Sequence, residues 1–186
     1  MTIKTINTNN MKTKNTAILS MTTLALFAAA AVLAPNLQAS EKDTLNAADV
    51  AFVKHAAASS MAEVKVAGLG VKKADRADVK EFAGMLVTDH TTANEELKKL
   101  ASTKGVDVSA VIDSKHAGDF QKLEKFSGKE FDKEFLKNQV SDHKMCVSSF
   151  ETAATDSKDT EVKDFAAKLL PTLKAHLAKA EELSAK

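Results

Sequence analysis

From Phe52 to Leu183 the apolar residues of this chain recur every three or four positions, and no useful length alternates apolar and polar as a half-buried strand does. Four stripes can be traced. The first reads Phe52, Ala56, Ser59, Glu63, Val66, Gly70, and the second Val79, Phe82, Leu86, His90, Ala93, Leu97, Leu100. The third reads Phe135, Gln139, His143, Cys146, Phe150, Ala153, and the fourth Val162, Phe165, Leu169, Leu173, His176, Ala180, Leu183. A helix with one apolar stripe must bury it against others. The pattern therefore predicts an all-α antiparallel four-helix bundle.

Each stripe carries one ionisable interruption: Glu63, His90, His143 and His176. A carboxylate or imidazole buried alone is costly, so these groups need partners. The simplest partners are one another, or a metal ion held between them. Glu63 stands near the middle of its stripe and is the hardest to place on a surface. Three readings stay open for it: a hydrogen-bonded core glutamate, a metal ligand, or a stripe drawn one position off. A lone histidine on an apolar face is most often a satisfied core residue. Three of them with a glutamate, one per helix, form a candidate site for one ion.

Asp89 and Asp142 directly precede His90 and His143. Neighbouring helical residues point ~100° apart, so Asp89 is placed to reach another helix rather than its own His90. Asn94 and Gln139 lie one turn from His90 and His143 and can orient them. Cys146 follows His143 by three positions; that pair can bind a soft metal, but a buried cysteine more often acts as a small hydrophobe. His55 and His116 read as surface or edge residues. Glu81-Phe82 with Val87-Thr88-Asp89-His90 matches Glu134-Phe135 with Val140-Ser141-Asp142-His143 at a constant offset, which suggests equivalent roles for the second and third helices.

The boundaries follow from capping chemistry. Asp49 or Asn46 caps the first helix, which ends near Lys73-Ala74. Asp75 or Asp78 caps the second, and Gly105 stops it. Phe120, Leu123 and Phe126 suggest a short extra helix between helices 2 and 3, ended by Gly128. The third helix is expected from Phe131-Asp132 onward. The polar turn Thr155-Asp156-Ser157-Lys158-Asp159 precedes the fourth, which Pro171 should kink on its solvent side.

Residues 1–39 read as an export signal. Lys4, Lys12 and Lys14 precede a long apolar run that Pro35-Asn36 breaks, and Ala39 offers a small residue for cleavage. Met11 is an alternative start, and an uncleaved membrane anchor is the rival reading. Residues 40–48 form a polar leader and 49–186 the bundle domain. Past the signal, 23 Lys and Arg face 25 Asp and Glu, a net charge of −2. That balance, with no Trp or Tyr, gives no case for nucleic acid or for a membrane surface beyond the N-terminal segment. A metal ion or a protein partner remains. A single cysteine makes no internal disulfide, so core packing must hold the fold. No Gly-rich phosphate loop, paired-Cys motif or strained nucleophile turn occurs, and no catalytic residue is assigned.

Several segments together resemble domain-of-unknown-function family 4142, exported bacterial proteins often labelled outer membrane proteins. They are Ala62-Glu63-Val64, Phe82-Ala83, Asp89-His90 with Asn94, Gly105, Phe131-Asp132, His143, Leu170-Pro171-Thr172-Leu173, His176-Leu177 and Ala180. The resemblance runs from about Asp49 to Leu183 and implies a ferritin-like four-helix bundle. It implies no established activity. Di-iron bundles use Glu-x-x-His pairs. Here Val87, Val140 and Leu173 stand three residues before His90, His143 and His176, so the carboxylates for two irons are missing. One ion held by three His and one Glu suits zinc, copper, nickel or iron(II), for storage, sensing or stress protection. The alternative is a structural or interaction module of the cell envelope with a buried Glu–His network. A third reading uses the small residues Ala56, Ala67 and Gly70 as room for an apolar ligand, against their ordinary use in close helix packing.

Overall fold

The computed structural model describes residues 44–108, 112 and 114–186; the expected export signal lies outside the described residues. Five helices follow in order: α1 (Ala47–Lys73), α2 (Ala77–Thr103), α3 (Ser114–Leu123), α4 (Gly128–Asp156) and α5 (Thr160–Ser184). No strand occurs among the described residues. The fold is the ferritin-like antiparallel four-helix bundle expected, with α3 as the short extra helix between α2 and α4. α1 packs chiefly on α2, and α4 on α5. Among the described residues, no helix is long and apolar enough to cross a membrane.

The helix ends show which polar groups organise the bundle. Of the two candidates for the first cap, Asn46 accepts from the backbone N–H groups of Ala48 and Asp49. Asp49 is buried instead. Its carboxylate accepts from the Ser157 hydroxyl and from the Lys158 and Asp159 backbone, and so ties the start of α1 to the α4–α5 turn. At the other end Asp132 plays the matching part. The expected caps Asp75 and Asp78 do not cap α2; Arg76 occupies the cap position, and Asp132 of α4 accepts from the Asp75 and Arg76 backbone. Asp78 pairs with the Arg76 guanidinium. A carboxylate distant in sequence fixes the chain entering α2, while the helix itself has no side-chain cap.

α4 starts three residues earlier than the stripe suggested. Gly128, at φ 56°, opens it rather than ending α3, because only a residue free of a Cβ takes that left-handed turn cheaply. Gly105, at φ 67°, follows α2 as expected. His116 departs from the sequence reading: it is buried, with 6% of its surface exposed, on the inner side of α3. α3 is short and polar, so its stripe gave no clear face. His55 is exposed as expected. Gly70 belongs to close packing, since a Cβ there would meet the Ala83 Cβ at 2.6 Å and the Phe135 ring at 2.9 Å.

Each of the four long helices runs through two apolar clusters. One holds Val66, Val79, Phe82, Leu86, Phe131, Phe135, Ala180 and Leu183. The other holds Val53, Ala57, Leu97, Leu100, Phe150, Val162, Phe165 and Leu173. Along every long helix the residues between the clusters include a buried polar one: Glu63 in α1, His90 and Asn94 in α2, Gln139 and His143 in α4, His176 in α5. The core is thus two oil-filled halves separated by a polar layer.

Candidate metal centre

The layer is dry. Glu63, His90, His143 and His176 expose 5%, 5%, 1% and 2% of their surfaces. The three imidazoles face one another, with ring centroids 5.3 to 5.6 Å apart. One ring nitrogen from each lies within 4.8 Å of the other two; among the described residues this is the group of side chains fit to hold an ion.

Each ring's other nitrogen faces an anchor, and for His143 and His176 the anchor can only accept, which assigns the tautomer. His143 Nδ1 donates to the Gln139 carbonyl at 3.0 Å. His176 Nε2 donates to Asp89 Oδ2 at 2.9 Å. Ser60 donates to the His90 carbonyl at 3.2 Å and stands 3.3 Å from His90 Nδ1, placed to accept from it. A neutral imidazole that donates from one nitrogen carries a lone pair on the other. The remaining atoms are His143 Nε2, His176 Nδ1 and His90 Nε2, and all three are buried without a hydrogen-bond partner.

The electrostatics favour uncharged rings. Burial, and then the neighbouring His143 and His176, push His90 down to about 3. Burial and the nearby His176 push His143 down to about 4, against the opposing pull of its bond to the Gln139 carbonyl. At neutral pH both are free bases, the form that binds metal.

Glu63 is not a member of the three-nitrogen group. Gln139 Nε2 donates to its Oε2 at 2.9 Å, and the Gln139 carbonyl holds His143, so Glu63 sits one residue behind the imidazoles. Burial raises it to about 7, opposed by the bond from Gln139. Of the two amides read as orienting groups, Gln139 acts in that way through its backbone. Asn94 is buried in the same layer.

Both aspartates reach other helices. Asp89 crosses from α2 to His176 on α5, with 39% of its side chain exposed, and so links the buried layer to solvent. Asp142 accepts from Lys115 of α3 at 2.7 Å and from Asn138. The pseudo-repeat therefore holds for the facing His90 and His143 but not for their aspartates. Cys146 lines a cavity of about 30 Å³ beside His90, together with Ser60 and Leu173. Burial, then the charges of Glu63 and Asp142, push its thiol up to about 12, so it stays a neutral hydrophobe outside the donor group. The sequence reading missed Ser60. The only available signal was a hydroxyl one turn before Glu63 on the same helix, too common to single out.

Comparison with known proteins adds the family and the fold. A DUF305 fragment from Deinococcus radiodurans superposes with a TM-score of 0.68 at 15% identity, covering 76% of this chain and 98% of that one. CopM in its Cu(II)-bound form gives 0.64 at 16% identity, covering 74% and 95%. Its Cu(I)-bound form gives 0.62 at 17%, covering 72% and 93%. At such identities these likenesses establish a shared helical-bundle fold. No curated protein sequence matches the chain. The family described as "Domain of unknown function (DUF4142)" matches residues 34–183, and this chain belongs to it.

Proposed function

We propose that this protein is exported and binds one transition-metal ion between His90, His143 and His176, copper above zinc, nickel or iron(II), to store or sequester it. One observation carries this reading: three buried, unpartnered lone pairs converge from three helices. Orphaned buried acceptors cost about 1–3 kcal/mol each, and a cation relieves all three together. Three ligands around an ion at ~2.0–2.1 Å stand roughly 3.5 Å apart, so the 4.8 Å spread closes with side-chain shifts of about 1 Å.

The donor set selects the class of ion. Imidazoles without a carboxylate in the group suit copper, zinc, nickel or iron(II) and disfavour magnesium and calcium; among divalent ions copper binds such a set most strongly. CopM, with the same fold, has been crystallised with Cu(II), Cu(I) and silver, which supports this choice. Glu63, held by the Gln139 side chain, stands behind the three imidazoles and is left out of the proposed ligand set. Asp89 fixes the tautomer and orientation of His176, as carboxylates behind metal-bound histidines do.

Elemental analysis of the purified, tag-free protein after growth with copper, zinc, nickel and iron tests the proposal. About one ion per chain is expected, and a His143→Ala, His176→Ala double variant loses it. At metal concentrations a hundredfold above Kd, binding adds about 2.7 kcal/mol to stability. Substoichiometric metal under every condition, or unchanged content in the double variant, refutes it. The Glu63–Gln139–His143 chain favours one other reading, a purely structural polar layer. In that case a chelator leaves the melting temperature of the purified protein unchanged.

A further inference from the structure

Asp89 and Asp142 hold equivalent places in the pseudo-repeat, and the fold treats them differently. Asp142 is 6% exposed and is closed off by Lys115 at 2.7 Å and Asn138 at 3.0 Å. Asp89 has 39% of its side chain exposed, and among the described residues no Lys or Arg pairs with it. Its bond is to His176 Nε2, at 2.9 Å. Two turns along the same seam between α2 and α5, Glu96 is already neutralised by Lys168 at 2.7 Å. The acid that touches one of the three rings is thus the acid left open to a cation from solvent.

His176 joins that carboxylate to the buried nitrogens. Its Nε2 meets Asp89, and its Nδ1 is one of the three lone pairs without a partner. The other two rings have no charged outlet. His143 is held by the carbonyl of the buried Gln139 on its own helix. His90 stands beside the Ser60 hydroxyl and the cavity of about 30 Å³, which Leu97, Phe150, Phe165 and Leu173 help to wall and no charged side chain lines. A cation stripped of water there finds little to replace its hydration, whereas a carboxylate replaces part of it and matches its charge.

We propose that Asp89 is the entry ligand of the metal centre, taking a hydrated transition-metal cation at the surface and passing it to His176; this rests on the reading of the three histidines as a metal site. Taking the cation draws the carboxylate away from Nε2, and the bond given up is the one that fixes the His176 ring. The ring is then free to turn and admit the cation to the three nitrogens. Release retraces the same path, so Asp89 serves both directions.

Stopped-flow absorbance with Cu(II) measures loading of the purified protein, and excess EDTA then measures release. Wild-type loading should slow as ionic strength rises, because opposite charges meet. Asp89→Asn keeps an oxygen that can accept from Nε2 and removes the charge. It should slow loading and release each by about tenfold or more and flatten the salt dependence, while Asp89→Glu restores both in part. Glu96→Gln removes a charge from the same seam and should change loading by less than about twofold. Faster release with unchanged loading in Asp89→Asn would make Asp89 a positioning residue only and overturns the proposal. One ion per chain with wild-type loading and release in Asp89→Asn overturns it too and leaves the histidine site standing, whereas no ion in the wild type overturns both. Slower loading in Ala93→Val, which narrows the cavity, beside unaltered loading in Asp89→Asn assigns entry to the His90 side instead. Should Asp89→Asn misfold by circular dichroism, wild-type loading indifferent to salt overturns the proposal.

Discussion

The two apolar halves of the bundle and the polar layer between them obey different rules. In the halves, Phe131, Phe135, Val79, Leu86 and Val162 are wholly buried among apolar neighbours, and each end is tied by a buried carboxylate whose acceptors are used, Asp132 at one end and Asp49 at the other. In the layer, His90 Nε2, His143 Nε2, His176 Nδ1 and Gln139 Oε1 are buried without partners. Satisfied cores stabilise folds, and unsatisfied buried acceptors cost stability. The halves therefore hold the protein together, while the layer is tolerated for some other purpose. Ligand binding is the simplest purpose that three convergent lone pairs serve.

The sharpest way to break this contrast is to delete bulk from a half and compare it with apolar replacement in the layer. Phe135→Ala should cost about 3–5 kcal/mol in denaturant unfolding, because the ring is wholly buried against Gly70 and its neighbours. His143→Leu should leave metal-free stability within about 1.5 kcal/mol and abolish metal-induced stabilisation. If His143→Leu costs as much as Phe135→Ala, the layer is structural and the contrast fails.

Next in size is the pH response. His90 and His143 have folded values near 3 and 4, below their ordinary 6.5. Their contribution is present above pH 6.5 and is lost as pH falls through about 4, on the order of 3 kcal/mol for each imidazole. Glu63 runs the other way. Raised to about 7 from 4.5, its contribution is present below pH 4.5 and lost as pH rises through 7. Two imidazoles outweigh one carboxyl, so metal-free protein should melt at progressively lower temperature from pH 6.5 to 4. A His90→Leu, His143→Leu variant should show a flatter acid limb, and Glu63→Gln a flatter alkaline one. A wild-type acid limb in the histidine variant would mean that other groups drive it.

The smallest effect belongs to the end clamps. Asp132→Ala strands two backbone donors at the start of α2 and should cost about 1–3 kcal/mol, with metal content unchanged. Asp78→Ala should cost less, since its carboxylate pairs only with the partly exposed Arg76 and Lys186 side chains.

Much of the fold was legible because helices announce themselves locally. The stripes located α1, α2, α4 and α5, and Asn46 and Gly105 marked ends by their own backbone chemistry. The misses have a common cause. Asp132 holds the backbone entering α2 from more than fifty residues away, Gly128 opens α4 through a left-handed turn, and His116 lies on a helix too short to show a face. Each depends on what the chain meets in space. The same division runs through the centre. Periodicity placed Glu63, His90, His143 and His176 inward, and the ~100° step sent Asp89 to another helix.

The sequence by itself determined that this chain forms four amphipathic helices whose inner faces each carry one ionisable group, because side-chain direction on a helix follows from its 3.6-residue turn. Only the tertiary structure decided which of those groups meet. Helix rotation and axial offset bring the three imidazoles together and leave Glu63 one amide behind them, on Gln139. Asp89 reaches His176, and Ser60 reaches His90, only once the helices are packed, whereas the Gln139 carbonyl lies one turn before His143 on its own helix. The meeting of the three free nitrogens is a property of the assembled neighbourhood, and no single helix carries it.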